Sequence, residues 1–214
     1  MTSLFADHGE TAARLVALGS ATLGESGAVP LPSKLRAMWP GATFAAPAFT
    51  VACAPGDNLA MHAGIAKAPP GTAMVVSVAG DVPRGYWGEV MTVAAQAAGV
   101  VAVVIDGRVR DVEAMQRRRF PVFARGTALR GATKAGPGTI GGPVAIAGTL
   151  VFPRDWLVGD ADGLVVTRAE TLASCEEAAS ARAEKESRFF ESLRSGKTTV
   201  ELLGLDVSGI SVIA

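Results

Sequence analysis

The chain has 214 residues, of which 49% are hydrophobic, and its 20 Lys and Arg residues balance its 20 Asp and Glu residues. This balance gives no basic surface for nucleic acid or for anionic lipid. The sequence begins without an apolar signal core and contains no apolar run of membrane-spanning length. We therefore predict a cytoplasmic protein with a sizeable core that binds neither membrane nor nucleic acid.

The first third of the chain alternates between helical and extended patterns. A helix is predicted over residues 10–23, followed by a Gly- and Pro-rich connection over residues 24–41. Residues 43–53 have strand composition, but Pro47 interrupts them and favours an edge or bulged position. A turn at residues 55–58 then leads into a helix over residues 59–67.

The side chains of the cysteines and histidines give no metal-ligand pattern. Cys53 and Cys175 lie far apart without a CxxC motif, which is typical of reduced thiols in a cytosolic protein. His8 and His62 have no His or Cys at ligand spacing, so zinc chemistry is not predicted. His62 is predicted to be a packed or partly exposed residue of its helix.

The stretch from residue 85 to residue 111 has the richest pattern. A glycine-rich turn ends at Gly88, and residues 90–98 are predicted to form a helix that Gly99 stops. Residues 100–105 form a β-branched run typical of a buried strand. Residues 106–107 are predicted to turn, and Asp111 is a candidate N-cap for a helix reaching residue 118.

The residue types of this stretch suit an anionic, metal-assisted site. A glycine-preceded helix start offers backbone N–H groups to an anion. Arg110 offers a fixed fork of donors to a carboxylate or an enolate oxygen, and Asp111 can hold a hard divalent cation. An ordinary helix start and a surface ion pair explain the same residues, so both interpretations stay open at this point.

The second half of the chain is rich in strands and glycine turns. Residues 117–119, three arginines, are predicted to be a solvated helix end. Residues 126–142 form a glycine-rich loop that is long unless it covers or lines something. Within a turn-rich loop over residues 155–163, Asp160 and Asp162 fit a hairpin turn better than a metal pair. Further strands are predicted over residues 72–79, 121–124, 144–147, 149–152 and 164–167.

The C-terminal part is helical. The longest helix is predicted over residues 170–193, with a charged stretch at 182–188, and a short helix over residues 199–205. Its apolar end suggests packing on another subunit. The whole pattern predicts a layered α/β domain with a mixed sheet rather than a doubly wound sheet.

Several motifs together resemble one family. These are Gly88-Glu89-Val90-Met91, Asp106-Gly107-x-x-Arg110-Asp111, and the segments at residues 54–60, 120–126 and 159–165. They are similar to the family that contains 4-hydroxy-4-methyl-2-oxoglutarate aldolase and the RraA-like regulators of ribonuclease E. The resemblance covers roughly residues 43–205 and is specific for the family rather than for one activity.

The resemblance implies a swivelling β/β/α-type α/β core over residues 1–168 and a C-terminal helical extension over residues 169–214. It also implies a homotrimer, or a hexamer of two trimers, in which the extension contacts another subunit. The family's aldolases are class II enzymes, so the resemblance implies Mg²⁺ or Mn²⁺ as cofactor and a small 2-oxo acid as substrate.

Site roles follow from the resemblance residue by residue. Asp111 is the expected metal ligand, and Arg110 the group that binds the C2 oxygen and the developing enolate. Gly88, Glu89, Val90 and Met91 form the expected substrate-binding segment, with the backbone N–H groups near Val90 and Met91 receiving the carboxylate.

Two carboxylates are expected to complete the catalytic set. Glu89 matches the acidic residue that holds a metal-bound water, although some aldolases of the family carry the shorter Asp there. Glu186 resembles the carboxylate that the family's aldolases send into the next subunit's site, where it holds the same water.

Two functions of different classes follow. The first is a metal-dependent lyase that cleaves 4-hydroxy-2-oxo acids, such as 4-hydroxy-4-methyl-2-oxoglutarate or 4-carboxy-4-hydroxy-2-oxoadipate, to pyruvate and a second oxo-acid, with oxaloacetate decarboxylation as a companion activity. The second is a non-enzymatic, protein-binding regulator of ribonuclease E. The C-terminal extension favours the lyase, because the shorter regulators lack it.

Overall fold

A computed structural model describes residues 8–80 and 82–213 of the chain. The helices are α1 (His8–Gly24), α2 (Leu59–Ile65), α3 (Glu89–Ala97), α4 (Val112–Arg117), α5 (Leu172–Arg194), which follows a 3-10 turn at Ala169–Thr171, and α6 (Thr199–Leu203). The strands are β1 (Val29–Pro30), β2 (Arg36–Ala37), β3 (Phe44–Cys53), β4 (Ala73–Val78), β5 (Gly85–Trp87), β6 (Ala102–Val109), β7 (Val122–Thr127), β8 (Gly138–Ile140), β9 (Val144–Ile146), β10 (Thr149–Val151), β11 (Trp156–Gly159) and β12 (Leu164–Thr167).

A curled mixed sheet organises these elements, which confirms the predicted α/β class. Its strand order is β1-β12-β11-β3-β4-β6-β7-β2, with β5 attached to β6 and β8 to β3. The central strands β3, β4, β6 and β7 are parallel, and α2, α3 and α4 lie in the connections between them. Because parallel strands end at one edge, the segments after β3, β5 and β6 can converge there.

Strand β3 corrects the prediction for Pro47. The strand runs without interruption through the interior of the sheet, because it serves two partners in succession. Residues up to Pro47 pair antiparallel with β11, and the parallel pairing with β4 begins at Ala48. Pro47 therefore lies at the boundary between the antiparallel pairing with β11 and the parallel pairing with β4. At this position its missing N–H interrupts neither ladder.

The turn predicted at residues 106–107 is also wrong, because β6 continues to Val109. After a register shift, Arg108 pairs with both β5 and β7. A Cβ at Gly107 would lie 2.9 Å from Cγ2 of Val78. The glycine is thus required for close packing between neighbouring strands rather than for a turn.

Residues 155–163 contain a strand that the turn-rich prediction missed. Trp156–Gly159 form β11 between β12 and β3, and all four residues are buried. The turn preferred for Asp160 is confirmed: its Oδ1 accepts hydrogen bonds from the N–H of Asp162, at 3.0 Å, and the hydroxyl of Ser20, at 2.6 Å. The carboxylate therefore ties the hairpin to α1.

Three apolar clusters hold the layers together. On one face of the sheet, α2, α3 and α4 contribute Met61, Met91 and Met115. On the opposite face, β9 and β10 cover the sheet with Val144, Ile146 and Val151. The third cluster joins α1 and α5 to the antiparallel strands. The predicted hairpin over residues 144–152 is confirmed.

The C-terminal extension is helical, as predicted. The first part of α5 buries Cys175 and Ala179 against α1 and the antiparallel strands. Ion pairs join Arg14 to Glu176 and Arg182 to Glu25. Farther along, Phe190 and the residues after α6 expose apolar side chains. Intersubunit packing of the extension stays a prediction. Within residues 8–80 and 82–213, no helix combines the length and the apolarity that crossing a membrane requires.

Candidate active site

The structure brings the predicted helix start and the Arg110–Asp111 loop together at a cleft of about 220 Å³. Gly88, Val90 and Met91 line it from the start of α3, and Arg110 and Asp111 line it from the end of β6. The backbone N–H of Arg110 donates to the carbonyl of Trp87 at 2.9 Å, which joins the two segments. The structure thus brings together the two segments whose residue types suit an anionic, metal-assisted site.

Asp111 occupies the N-cap position of α4 but does not cap it with its side chain. Its backbone is left-handed, with φ of 59°, and it makes no side-chain cap hydrogen bond. Instead, Oδ2 accepts a 3.0 Å hydrogen bond from the backbone N–H of Glu89. The strained backbone, costing about 1–2 kcal/mol for a non-glycine residue, thus directs the carboxylate toward α3.

Gly88 leaves the space that the Asp111 carboxylate needs. A Cβ built on Gly88 would lie 2.5 Å from Oδ2 of Asp111 and 3.3 Å from Cγ of Arg110. The φ of Gly88 is −158°, an extended conformation that any residue can adopt. The requirement for glycine here is therefore steric and comes from the site itself.

Arg110 lies along the cleft with its side chain 46% exposed. Its Nε is 3.8 Å from Oδ2 of Asp111, and Nη1 donates a long 3.5 Å hydrogen bond to the carbonyl of Leu129. A Cβ on Gly131 would lie 3.3 Å from Nη1. The loosely held guanidinium therefore keeps donors available to an anionic ligand.

Glu89 stands at the first position of α3, where a carboxylate is favoured by the helix dipole. In this chain its Oε1 accepts hydrogen bonds from Nε and Nη2 of Arg118, at 3.0 and 2.8 Å. Residues 117–119 were predicted to be a solvated helix end, but Arg118 instead forms an ion pair with Glu89. The water-holding role expected of Glu89 stays a prediction.

Glu186 lies on α5 and is not among the residues that line the cleft of its own chain. Its Oε1 is 2.9 Å from Nε of Arg182, which also pairs with Glu25. A role in a neighbouring subunit's site stays a prediction.

Sequence reasoning assigned no site role to Asn58 and predicted His62 to be a packed or partly exposed helix residue, yet both line the cleft. Nδ2 of Asn58 donates to the carbonyl of Tyr86 at 2.8 Å, so Oδ1 takes no part in this contact. Oδ1 of Asn58 and Nε2 of His62 are buried and have no hydrogen-bond partner among the described residues. Their spacing of four positions at a helix start was the signal that could have paired them.

Lys134 is a further cleft residue that the sequence did not indicate. It belongs to the segment predicted as a loop over residues 126–142. That prediction is wrong at both ends, where the segment contains the end of β7 and strand β8, but its middle part lines the cleft through Gly131, Ala132 and Lys134. Burial, followed by the positive charge of Lys134, lowers the pKa of His62 below its ordinary value. His62 is therefore neutral at pH 7, and the cationic groups of the cleft are Arg110 and Lys134.

A family comparison accounts for this constellation. A model of the RraA-like family, described as Aldolase/RraA, matches residues 17–166. The chain belongs to the RraA-like family. The match includes β1 to β11, most of β12, α2 to α4 and every cleft residue described above, whereas α5 and α6 lie beyond it.

Individual relatives of this RraA-like protein bear different names. A protein of Halalkalibacterium halodurans, provisionally named 4-hydroxy-4-methyl-2-oxoglutarate aldolase, is 39% identical over 56% of this chain and 57% of its own length. The match thus spans little more than half of that relative. An uncharacterized protein from Pseudomonas syringae pv. tomato superposes with a TM-score of 0.78 at 28% identity, covering 89% of this chain and 94% of the other.

Streptomyces coelicolor RraAS2, described as an unusual member of the RNase ES inhibitor RraA protein family, superposes with a TM-score of 0.72 at 27% identity, over 88% of this chain and 97% of its own. An aldolase name and an inhibitor name therefore both occur among the relatives of this chain. The superpositions confirm its fold as RraA-like.

The carboxylate of Asp111 in this RraA-like cleft suits a hard divalent cation that has few protein ligands. The Asp111 carboxylate is 43% exposed at the cleft. Within the described part of the chain, no group of three or more His, Cys, Asp or Glu side chains could hold a metal ion. Such a set does not suit zinc, whereas Mg²⁺ commonly binds through one or two carboxylates, waters and substrate oxygens. Asp111 therefore fits a magnesium-type ligand.

Proposed function

We propose that this RraA-like protein is a divalent-metal-dependent aldolase. It cleaves 4-hydroxy-2-oxo acids, such as 4-hydroxy-4-methyl-2-oxoglutarate or 4-carboxy-4-hydroxy-2-oxoadipate, to pyruvate and a second oxo-acid. The observation that carries the proposal is the meeting of Arg110, Asp111 and the start of α3 at one cleft. The provisional aldolase name of the Halalkalibacterium halodurans relative supports it.

Cleavage breaks the C3–C4 bond of the substrate and leaves its electrons on the pyruvate enolate. Stabilising the negative charge on the C2 oxygen is therefore the main task of the site. Asp111 would hold a Mg²⁺ or Mn²⁺ ion, which would supply Lewis-acid polarisation of that oxygen when bound. Arg110 provides the second positive partner, because its guanidinium lies beside Asp111 with donors available.

The start of α3 supplies the carboxylate site of the proposal. Helix-start N–H groups have no acceptor within their own helix, and the dipole favours an anion there. The backbone N–H of Glu89 already donates a hydrogen bond to Asp111. The N–H groups of Val90 and Met91 are the proposed donors to the substrate carboxylate, which would direct the C2 oxygen toward Arg110.

Proton transfer is assigned to the two glutamates. Glu89, which lies between the cleft-lining residues Gly88 and Val90, and Glu186, supplied by a neighbouring subunit, hold a water that protonates the enolate or accepts the hydroxyl proton. This proposal requires a homotrimer or hexamer. Oxaloacetate decarboxylation generates the same enolate and is the expected companion activity.

A second candidate function is protein-binding regulation of ribonuclease E, favoured by the likeness to Streptomyces coelicolor RraAS2. Pyruvate release separates the two functions. We expect the purified protein to release pyruvate from 4-hydroxy-4-methyl-2-oxoglutarate and oxaloacetate with Mg²⁺, and to leave ribonuclease E turnover unchanged. Inhibition of ribonuclease E without pyruvate release from either acid would establish the regulator instead.

A further inference from the structure

Asp57 presents a buried carboxylate just before α2, with 3% of the residue exposed. Its Oδ1 accepts a 2.8 Å hydrogen bond from the backbone N–H of Leu59. Its Oδ2 accepts hydrogen bonds from the hydroxyl of Thr133, at 2.8 Å, and from the backbone N–H of Ala135, at 2.7 Å. One carboxylate therefore joins the start of α2 to a segment far along the chain.

The two distant donors stand on either side of Lys134. The backbone reinforces the attachment: the N–H of Thr133 donates to the carbonyl of Gly56 at 2.9 Å, and the N–H of Asn58 donates to the carbonyl of Thr133 at 2.9 Å. Thr133, Lys134 and Ala135 are themselves exposed. Their position thus depends on these hydrogen bonds more than on burial in the core.

The same segment borders the cleft that the start of α3 also lines. Gly131, Ala132 and Lys134 line it together with Arg110. Among the described residues, no carboxylate lies within ion-pair distance of the Lys134 ammonium. In the part of the chain that the structure describes, the cleft therefore has a second cationic group, besides Arg110, without a carboxylate partner of its own.

We propose that Asp57 is a positioning residue that fixes Lys134 over the cleft, where the lysine binds a second carboxylate of the substrate. The proposal rests on the function proposed above and extends it to selection of dicarboxylic over monocarboxylic 4-hydroxy-2-oxo acids. The first carboxylate goes to the start of α3, so a distal carboxylate needs a separate cation. An exposed lysine can select between substrates only if its backbone has a fixed position. Asp57 fixes that backbone by accepting hydrogen bonds from Thr133 and Ala135, the two neighbours of Lys134.

The test compares two substrates that share the reacting group. Both 4-hydroxy-4-methyl-2-oxoglutarate and 4-hydroxy-2-oxopentanoate release pyruvate, but the second lacks the distal carboxylate. The readout is the ratio of KM for the monocarboxylic acid to KM for the dicarboxylic acid, with Mg²⁺ present. In Lys134→Met we expect this ratio to fall about tenfold, the value of one charge-assisted hydrogen bond.

Asp57→Asn should lower the same ratio, because the amide replaces one accepting oxygen with an NH2 donor and carries no charge. The hydrogen bonds from Leu59 and from Thr133 and Ala135 therefore cannot all be kept. If Asp57 acts through Lys134, then Asp57→Asn should leave the ratio of the Lys134→Met protein unchanged. Thr133→Val removes the hydroxyl that donates to Oδ2 of Asp57. This variant tests the proposal if Asp57→Asn fails to fold. We expect it to lower the ratio less than Lys134→Met does.

Asp155→Asn is the matched control. Asp155 is also 3% exposed, but its Oδ2 accepts from the N–H of Phe152 and from Arg168, away from the cleft. It should reduce stability without altering the ratio. An equal rise of both KM values in the Asp57 and Thr133 variants, or an Asp57 effect that persists without Lys134, would overturn the inference. If the wild-type protein releases no pyruvate from either acid, the proposed function and this inference fail together.

Discussion

The backbone N–H of Glu89 donates a 3.0 Å hydrogen bond to Oδ2 of Asp111. This bond connects the first residue of α3 to the N-cap residue of α4, whose backbone is left-handed. Through it, the proposed anion site and the proposed metal ligand have a fixed relative position. The chemistry proposed for the cleft depends on that geometry, and the predictions below test it from several sides.

Metal removal should abolish pyruvate release. Chelation with EDTA is expected to stop oxaloacetate decarboxylation, and Mg²⁺ or Mn²⁺ should restore it, because a single exposed carboxylate favours hard cations with oxygen ligands. A colorimetric or coupled pyruvate assay measures this. Full activity after exhaustive chelation would exclude the class II mechanism, and recovery with Zn²⁺ alone would contradict the choice of metal.

Arg110→Lys should lower kcat by about two orders of magnitude, comparable to the loss of one oxyanion donor. Lysine retains the charge but loses the planar fork that reaches both the C2 oxygen and Asp111. Circular dichroism and the midpoint of thermal unfolding should change little, because the side chain is 46% exposed. Unchanged kcat with reduced stability would identify Arg110 as a structural ion-pair residue.

Gly88→Ala should impair metal binding without unfolding the protein. The added Cβ would lie 2.5 Å from Oδ2 of Asp111, so that the carboxylate must move. We expect the Mg²⁺ concentration for half-maximal activity to rise about tenfold or more, the effect of displacing a ligand by roughly an ångström. Gly142→Ala is the control, because its Cβ meets nothing within 4 Å. Equal behaviour of the two variants would contradict the steric argument.

Glu186 is tested by complementation between subunits. Asp111→Asn and Glu186→Gln should each be nearly inactive, whereas co-refolded mixed oligomers should regain part of the activity. Recovery arises where the intact Asp111 of one subunit meets the intact Glu186 of another. Glu184→Gln is the control, because residues two apart point about 200° away from each other on a helix. Without recovery in verified mixed oligomers, the site lies within one chain or excludes Glu186.

Asp57 should make stability depend on pH in the acid range. Burial alone raises the pKa of its carboxyl group, but the hydrogen bonds from Ala135, Leu59, Gly136 and Thr133 outweigh burial and hold that pKa well below its ordinary value. The folded state thus prefers the charged form. The stabilisation is fully present above the unfolded-state pKa of about 3.9 and is lost as the pH falls through the lower folded-state pKa.

Urea unfolding of wild type and Asp57→Asn measures this difference. At pH 7 we expect the variant to lose about 1–3 kcal/mol of unfolding free energy, since the hydrogen bonds to the buried carboxylate of Asp57 lose their charged acceptor. The difference should shrink between pH 4 and pH 2. A difference that stays constant over this range would contradict the role assigned to the charge of Asp57.

Periodicity and turn chemistry correctly predicted most helices and strands. Residues 90–98, with Gly99 after them, gave α3, and the hairpin of β9 and β10 followed from its central glycine. The errors share one cause. Pro47, Gly107 and Trp156–Gly159 all took their conformation from partners distant in sequence, and local propensity contains no information about those partners.

The sequence by itself determined the class of the fold and, through the motifs around Gly88, Arg110 and Asp111, the family and the residue types of the candidate site. The tertiary structure decided which residues share the cleft. Asn58 and His62 belong to the start of α2, and Lys134 belongs to a distant segment. The side-chain hydrogen bonds of Asp57 to Thr133 and Ala135, together with the backbone hydrogen bonds between residues 56–58 and Thr133, hold these two segments together at the cleft beside Arg110. The physical reason is that these hydrogen bonds join segments about 76 residues apart, and such long-range contacts leave no periodic trace in the sequence.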